Sequence, residues 1–334
     1  MNRHPFTRTI LKWFAAHGRE LPWRGVNDPY AIWLSEVILQ QTRIAQGTDY
    51  WTRFMQAFPT VQDLAAASQD QVMLLWQGLG YYSRARHLHE AARQIVAMGH
   101  FPNTLEKLRS LKGVGDYTAA AIGSMAFGLP VAAVDGNVFR VLARHFGLNT
   151  PINTTQGKRQ FTDLAQRLLP ADMPGTFNQA LMDFGALQCT PTSPHCFDCP
   201  LADTCQAHAQ GTTAQLPVKQ KTIKRLTRHF TYVYLRCKGF TAIRQRPAGD
   251  IWQGLWEPYL IEEGSLPQWE GQYTLIKQGV KHVLTHRTIM ADFYLFECVK
   301  HPQLPPQYIW INESDMGNYA LPRLVERLLE SFDY

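Results

Sequence analysis

The chain has 334 residues, 45% hydrophobic and 18% charged, which excludes a disordered or fibrous polymer and allows a buried core plus a second domain. No apolar run approaches the length of a helix that crosses a bilayer, so no membrane-spanning helix is expected. Thirty-three Lys and Arg against 27 Asp and Glu leave +6, a charge compatible with a polyanionic partner such as nucleic acid without requiring one.

The first segment, MNRHPFTRTILKWFAAHG, mixes basic and apolar residues, with Lys12, Trp13 and His17 interrupting any hydrophobic stretch. It reads as an amphipathic helix rather than a secretion signal, and the protein is expected in the cytoplasm. Asp28-Pro29 starts a second helix, Asp as N-cap and Pro at the first position, where its missing N–H costs nothing. Inside that helix, SEVILQQT sets one carboxylate, Glu36, among apolar residues. Trp33, Glu36 and Gln40 fall near one face. An acid there is desolvated, so its pKa should rise and leave it a proton to donate near neutral pH. The plain alternative is an exposed Glu on an amphipathic helix.

Further helices fit WTRFMQAF, VMLLWQGL and RARHLHEAARQIVAM. In LKGVGDYTAAAIGSMAF, Gly113 and Gly115 frame Val114 ahead of a helix, a turn that lets backbone N–H groups approach an anion. AVDGNVFRV makes Asp135 the N-cap of the next helix. KRQFTDLAQRLL and FNQALMDFGALQ complete a half expected to be all-α. Cys189, Cys196, Cys199 and Cys205 then follow in the spacing C-x6-C-x2-C-x5-C. Four clustered thiolates hold tetrahedral zinc or a [4Fe–4S] cluster, and softness does not choose between them. A disulfide framework does not fit a cytosolic chain.

After residue 206 the composition changes. AQGTTAQLPVKQKTIKR is polar, basic and without period, as a linker is. HFTYVYLRCKGFTAIRQR, YTLIKQGVKHVLTHRTIMADFYLFECV and QYIWI read as strands, and LPRLVERLLESF as a closing helix. Cys237 and Cys298 fall in these strand-like stretches and read as separate buried thiols. The expected division is a helical domain over 1–210, a linker over 211–228 and a smaller α+β domain over 229–334.

The cysteine spacing, the Gly-x-Gly turn and the Asp-capped helix, in that order, resemble the endonuclease III superfamily of DNA repair glycosylases. LPWR at Leu21, SEVILQQT, GLGYYSRAR at Gly78, GVGDYTA, AVDGNV and FNQALMDFGALQC together resemble the MutY-type adenine DNA glycosylases within it, and the C-terminal domain resembles that family's Nudix-like domain. The resemblance implies an all-α helix-hairpin-helix glycosylase domain with an iron–sulfur cluster loop, followed by a Nudix-like α+β domain. It implies that the four cysteines bind [4Fe–4S]. It implies as well that Gly113 and Gly115 grip a DNA phosphate.

The resemblance also implies a reaction. Glu36 becomes the acid that protonates N7 of an extruded adenine. Asp135 stabilises the positive sugar, with Asn137 beside it. Tyr117 stands where the lyase branch carries a Lys, so no amine attacks the sugar and the abasic site is left uncut. Gln41 and Tyr81 match positions that enter the duplex near the lesion. Leu284-Thr285-His286 stands where the family has Phe-Ser-His contacting 8-oxoguanine; Thr285 keeps the hydroxyl. The expected substrate is double-stranded DNA with adenine opposite 8-oxoguanine or guanine, acted on by a monomer. The other readings are a pyrimidine-damage glycosylase with lyase activity and a DNA-binding cluster protein without catalysis. Glu257, Glu262 and Glu263 lack the Glu-rich helix that nucleotide hydrolysis needs, so that activity is not expected.

Overall fold

Side-chain caps set several of the helix starts in the computed structural model, which describes residues 3–26, 28–220 and 225–331. Residues 221–224 of the expected linker and 1–2, 27 and 332–334 of the expected domains lie outside the described residues. Asp28 accepts from the Tyr30 N–H ahead of Pro29, so α2 (Pro29–Leu39) begins where the Asp-Pro pair predicts. It follows α1 (Pro5–His17) and precedes α3 (Ile44–Ala57), α4 (Val61–Ala66), α5 (Gln69–Trp76) and α6 (Ser83–Met98). Then come α7 (Leu105–Ser110), α8 (Asp116–Phe127), α9 (Gly136–Phe146), α10 (Thr155–Leu168), α11 (Pro174–Leu187) and α12 (Gln206–Ala209). The sequence reading misses α4, α7 and α12 because six residues or fewer are too few turns to display a period.

The chain separates into two compact units. The first joins Met1–Ala65 to Glu90–Lys221 and is helical. Its α11 packs against α1, α8 and α9. Gly185 permits the α9 contact, since a Cβ there would come 2.7 Å from Asn137 Cβ. Ile10, Val138, Leu142, Phe161, Phe177 and Phe184 are part of the buried core. Residues 211–220, which look like linker by composition, fold onto this unit. Leu216 is buried, and the Ile152 N–H donates to the Val218 carbonyl at 3.0 Å. One buried apolar side chain and paired backbone groups outweigh a tether-like composition.

The second unit joins Ala66–His89 to Thr222–Tyr334. Its strands are β1 (Leu226–Arg236), β2 (Phe240–Gln245), β3 (Trp256–Glu257), β4 (Tyr259–Ile261), β5 (Gln272–Val283), β6 (Arg287–Glu297) and β7 (Tyr308–Asn312), followed by α13 (Arg323–Leu329). They form one sheet of order β4-β1-β6-β5 and another of order β3-β2-β7. β1 and β6 run parallel, from Leu226 opposite Arg287 to Arg236 opposite Glu297. β5 and β6 form an antiparallel hairpin, and Leu284, Thr285 and His286 are its turn. Phe230, Tyr232 and Phe293 meet Leu324, Val325 and Leu328 of α13 in the core, the α+β layering expected from the strand-then-helix pattern. Among the described residues no helix is long and apolar enough to cross a membrane.

Candidate active site

An open cleft of about 940 Å³ in the first unit is lined by Glu36, Gln41, Tyr117, Asp135 and Asn137. Five residues predicted from separate stretches of sequence thus face one space. Glu36 projects from α2, whose other residues are almost all buried. Burial pushes its carboxyl up to about 7; the Asp135 charge adds to the rise, while a hydrogen bond from Tyr117 and the Arg24 guanidinium oppose it. The Tyr117 hydroxyl donates to Glu36 Oε2 at 2.8 Å. Burial and the two carboxylates lift the Tyr117 phenol well above its ordinary range, so it stays protonated and remains a donor.

Asp135 caps α9. Its Oδ1 accepts the Val138 N–H at 2.8 Å and its Oδ2 the Asn137 amide at 2.7 Å. Burial raises its pKa, and these donors together with Arg140 pull it back. The same bonds that start the helix therefore favour the ionised carboxylate. The side chain that caps the helix also lines the cleft.

Sequence reasoning gave no role to the charged groups behind these residues. Arg140 donates to Asn137 Oδ1 at 2.8 Å, to the Gly185 carbonyl at 2.6 Å and to the Cys189 carbonyl at 2.7 Å. One turn on, Arg144 donates to the Thr190 carbonyl at 2.7 Å and approaches Cys189 Sγ at 3.4 Å. Asp183 is fully buried and receives Arg24 at 2.7 and 2.9 Å and the Arg19 N–H at 3.0 Å. Those arginines hold its carboxyl below the ordinary range. The signal available in the sequence was the i, i+4 pair Arg140 and Arg144 in an otherwise apolar helical run, since unpaired charges are not buried.

The four cysteines line a separate small cavity that also includes Arg144 and His208. Among the described residues no three His, Cys, Asp or Glu side chains make a set that could hold a single metal ion. Burial raises the Cys196, Cys199 and Cys205 thiols, Cys199 up to about 11, while backbone N–H groups of Leu201, Ala207 and His208 point at the Cys199 and Cys205 sulfurs and pull the other way. N–H donors and an arginine around sulfur suit thiolate ligands, so the residues present fit a metal–sulfur group.

Gly113 adopts φ +74°, which a side chain resists, whereas Gly115 is extended and caps α8. Neither is among the cleft residues. A Cβ on Gly115 would meet nothing within 4 Å, so its open surroundings rather than its backbone angle admit a close neighbour. Gln41 has φ +55° and Tyr81 φ +47°, strained values for non-glycine residues. In the second unit, Tyr81 is half exposed and its hydroxyl lies 3.1 Å from Thr285 Oγ1. The Arg84 guanidinium lies over the Trp76 ring and near that of Tyr81. Leu284 is partly buried, and Thr285 and His286 are exposed at the β5–β6 turn.

Comparison with known proteins gives two domain matches. Residues 34–167 match the model of the HhH-GPD superfamily of base excision DNA repair proteins, and residues 231–331 that of the NUDIX domain. The chain is 34% identical over 338 residues to an adenine DNA glycosylase of Buchnera aphidicola subsp. Baizongia pistaciae, covering 97% of this chain and 95% of that one. It is 47% identical over 226 residues to the adenine DNA glycosylase of Rattus norvegicus, a match that takes in 64% of this chain and 44% of the longer rat protein. Among solved structures, a thermostable thymine-DNA glycosylase aligns with TM-score 0.57 at 31% identity over 61% of this chain and 95% of its own. Endonuclease III in a non-covalent DNA complex aligns with TM-score 0.53 at 23% identity over 62% of this chain and 94% of its own, a likeness of fold.

Proposed function

Because this chain belongs to the MutY-type adenine DNA glycosylase family, we propose that it is a monofunctional base excision repair enzyme. It removes adenine opposite 8-oxoguanine or guanine by hydrolysing the N-glycosidic bond. The observation that carries the chemistry is the Glu36 carboxyl, raised to about 7 and hydrogen-bonded by Tyr117, in the same cleft as Asp135. Near neutral pH a large fraction of Glu36 holds its proton and is a general acid for N7 of an adenine turned out of the helix. Protonation makes the base a better leaving group. As the glycosidic bond breaks, positive charge develops on the sugar, and Asp135, supported in its ionised form by Val138 N–H and Asn137, stabilises it. In this reading Glu36 takes the acid role and Asp135 the electrostatic one.

Tyr117 supplies no amine. A protonated phenol forms no Schiff base with the opened sugar, so the product is an intact abasic strand. Gly113 and Gly115 hold a phosphate at the start of α8. Gln41 and Tyr81, on strained backbone, fill the duplex where the adenine leaves. Tyr81 and the Thr285 hydroxyl, already in contact, meet the oxidised purine, with Leu284 and His286 flanking.

Cys189, Cys196, Cys199 and Cys205 would hold the [4Fe–4S] cluster that the family resemblance implies. Bound there, it supplies a cross-link that shapes the loop over 189–205. Arg144 places positive charge beside the thiolates, and Arg140 ties the loop's Cys189 carbonyl to Asn137. Protein purified anaerobically should contain iron and sulfide in equal amounts; zinc in a colourless protein would refute the cluster.

The testing experiment is single-turnover base release from four duplexes differing at one pair: A opposite 8-oxoguanine, A opposite G, A opposite T, and C opposite 8-oxoguanine, each with and without alkali. Alkali-dependent cleavage at the adenine of the first two alone is the expected result. Strand cleavage without alkali, or no release, overturns the reading in favour of a lyase or a binding protein.

A further inference from the structure

Two thiols remain that neither the cleft nor the cluster loop uses. Cys237 and Cys298, separate in the sequence reading, face each other in the second unit. The parallel pairing of β1 with β6 ends at Arg236 opposite Glu297, and the Cys298 N–H donates to the Arg236 carbonyl at 3.0 Å. Cys237 and Cys298 are therefore the next opposed pair. Paired strands lie about 4.7–4.9 Å apart, within the Cα separation that a disulfide spans. The two differ in access. Cys237 is fully buried, whereas Cys298 is partly exposed on the wall of a surface groove of about 850 Å³, a volume that admits a small molecule.

We propose that Cys298 and Cys237 form a reversible dithiol–disulfide pair, oxidised by a small disulfide of the glutathione type that reaches Cys298 through this groove. The Cys298 thiolate attacks one sulfur of the small disulfide, whose S–S bond breaks and releases one small thiolate. The sulfur of Cys237, giving up its proton, then displaces the second small thiol from Cys298 and closes the protein disulfide. Two protein thiols are oxidised, one small disulfide is reduced to two thiols, and both protons leave with them. Burial and the neighbouring Cys237 push the Cys298 thiol up to about 12, so thiolate is scarce near neutral pH and the exchange is a slow one. The inference is independent of the reaction in the cleft.

The test incubates the full chain, with its cluster, in excess glutathione disulfide, alkylates the remaining thiols and maps the peptides by mass spectrometry. The expected result is a disulfide-linked peptide pair carrying Cys237 and Cys298, both lost from alkylation and both recovered with a dithiol reductant. Cys237→Ser, or Cys237→Ala if the serine destabilises the buried site, should stop at a glutathione adduct on Cys298, and Cys298→Ser should leave Cys237 unmodified. Failure of the linked pair to form in folded wild-type protein overturns the proposal. So does modification of Cys237 in the Cys298→Ser protein, which would place the point of attack elsewhere.

Discussion

Replacing Tyr117 with Phe should move the alkaline limb of base release to higher pH. Tyr117 donates to Glu36 Oε2 at 2.8 Å, and this bond lowers a carboxyl pKa that burial and the Asp135 charge raise, the balance standing at about 7. Phenylalanine keeps the ring and removes the donor. A hydrogen bond to a charged group is worth about 1.5–3 kcal/mol, and one pKa unit corresponds to about 1.4 kcal/mol. The Glu36 pKa should therefore climb by about 1–2 units. On the proposed mechanism Glu36 acts in its protonated form, so wild-type release should fall as pH rises through about 7, and the variant should hold its rate to about pH 8–9. The assay is single-turnover release of adenine opposite 8-oxoguanine from about pH 5 to about pH 10, with substrate saturation checked at each pH because the limb then reports the bound enzyme. A limb that stays in place, or moves down, would refute the claim that this bond stabilises the Glu36 carboxylate.

Other variants probe the same geometry. Glu36→Gln should abolish base release yet stabilise the fold above neutral pH: the raised pKa means the folded chain binds more protons than the unfolded one between the ordinary carboxylate value and about 7, so wild-type stability falls across that window, by about 1–3 kcal/mol. Thermal melts of both proteins at about pH 5 and about pH 8 check the sign, which an unchanged difference would contradict. Asp135→Asn should lose activity while still capping α9, whereas Asp135→Ala should lose activity and a further ~1 kcal/mol of stability; equal melting points would separate the cap from the carboxylate. Tyr117→Lys should introduce strand cleavage without alkali, trapped by borohydride as a covalent adduct, and its absence would mean that this position alone does not set the reaction type. Thr285→Ala should reduce the preference for 8-oxoguanine over guanine by about 1 kcal/mol, read as a ratio of release rates, with activity on the guanine mispair little changed.

Local signals gave a good part of the site. The Asp28-Pro29 start and the Asp135 cap act through bonds to the next two or three residues, so they can be read without knowing the fold. The rise in the Glu36 pKa follows from one carboxylate in an apolar helical run, and the cysteine cluster from its spacing. Other parts depend on residues far apart in the chain. Asp183 meets Arg19 and Arg24 across about 160 residues, Arg140 meets the Cys189 carbonyl, and Cys237 meets Cys298 only because β1 pairs in parallel with β6. The grouping of 66–89 with the second unit and the packing of Leu216 onto the first are of the same kind. Caps and periodicity are energies of one or two turns and are written in neighbouring residues. Which distant segments meet is fixed by the burial and pairing of the whole chain, where each contact must offset the entropy of ordering the residues that make it, and that balance belonged to the tertiary structure alone.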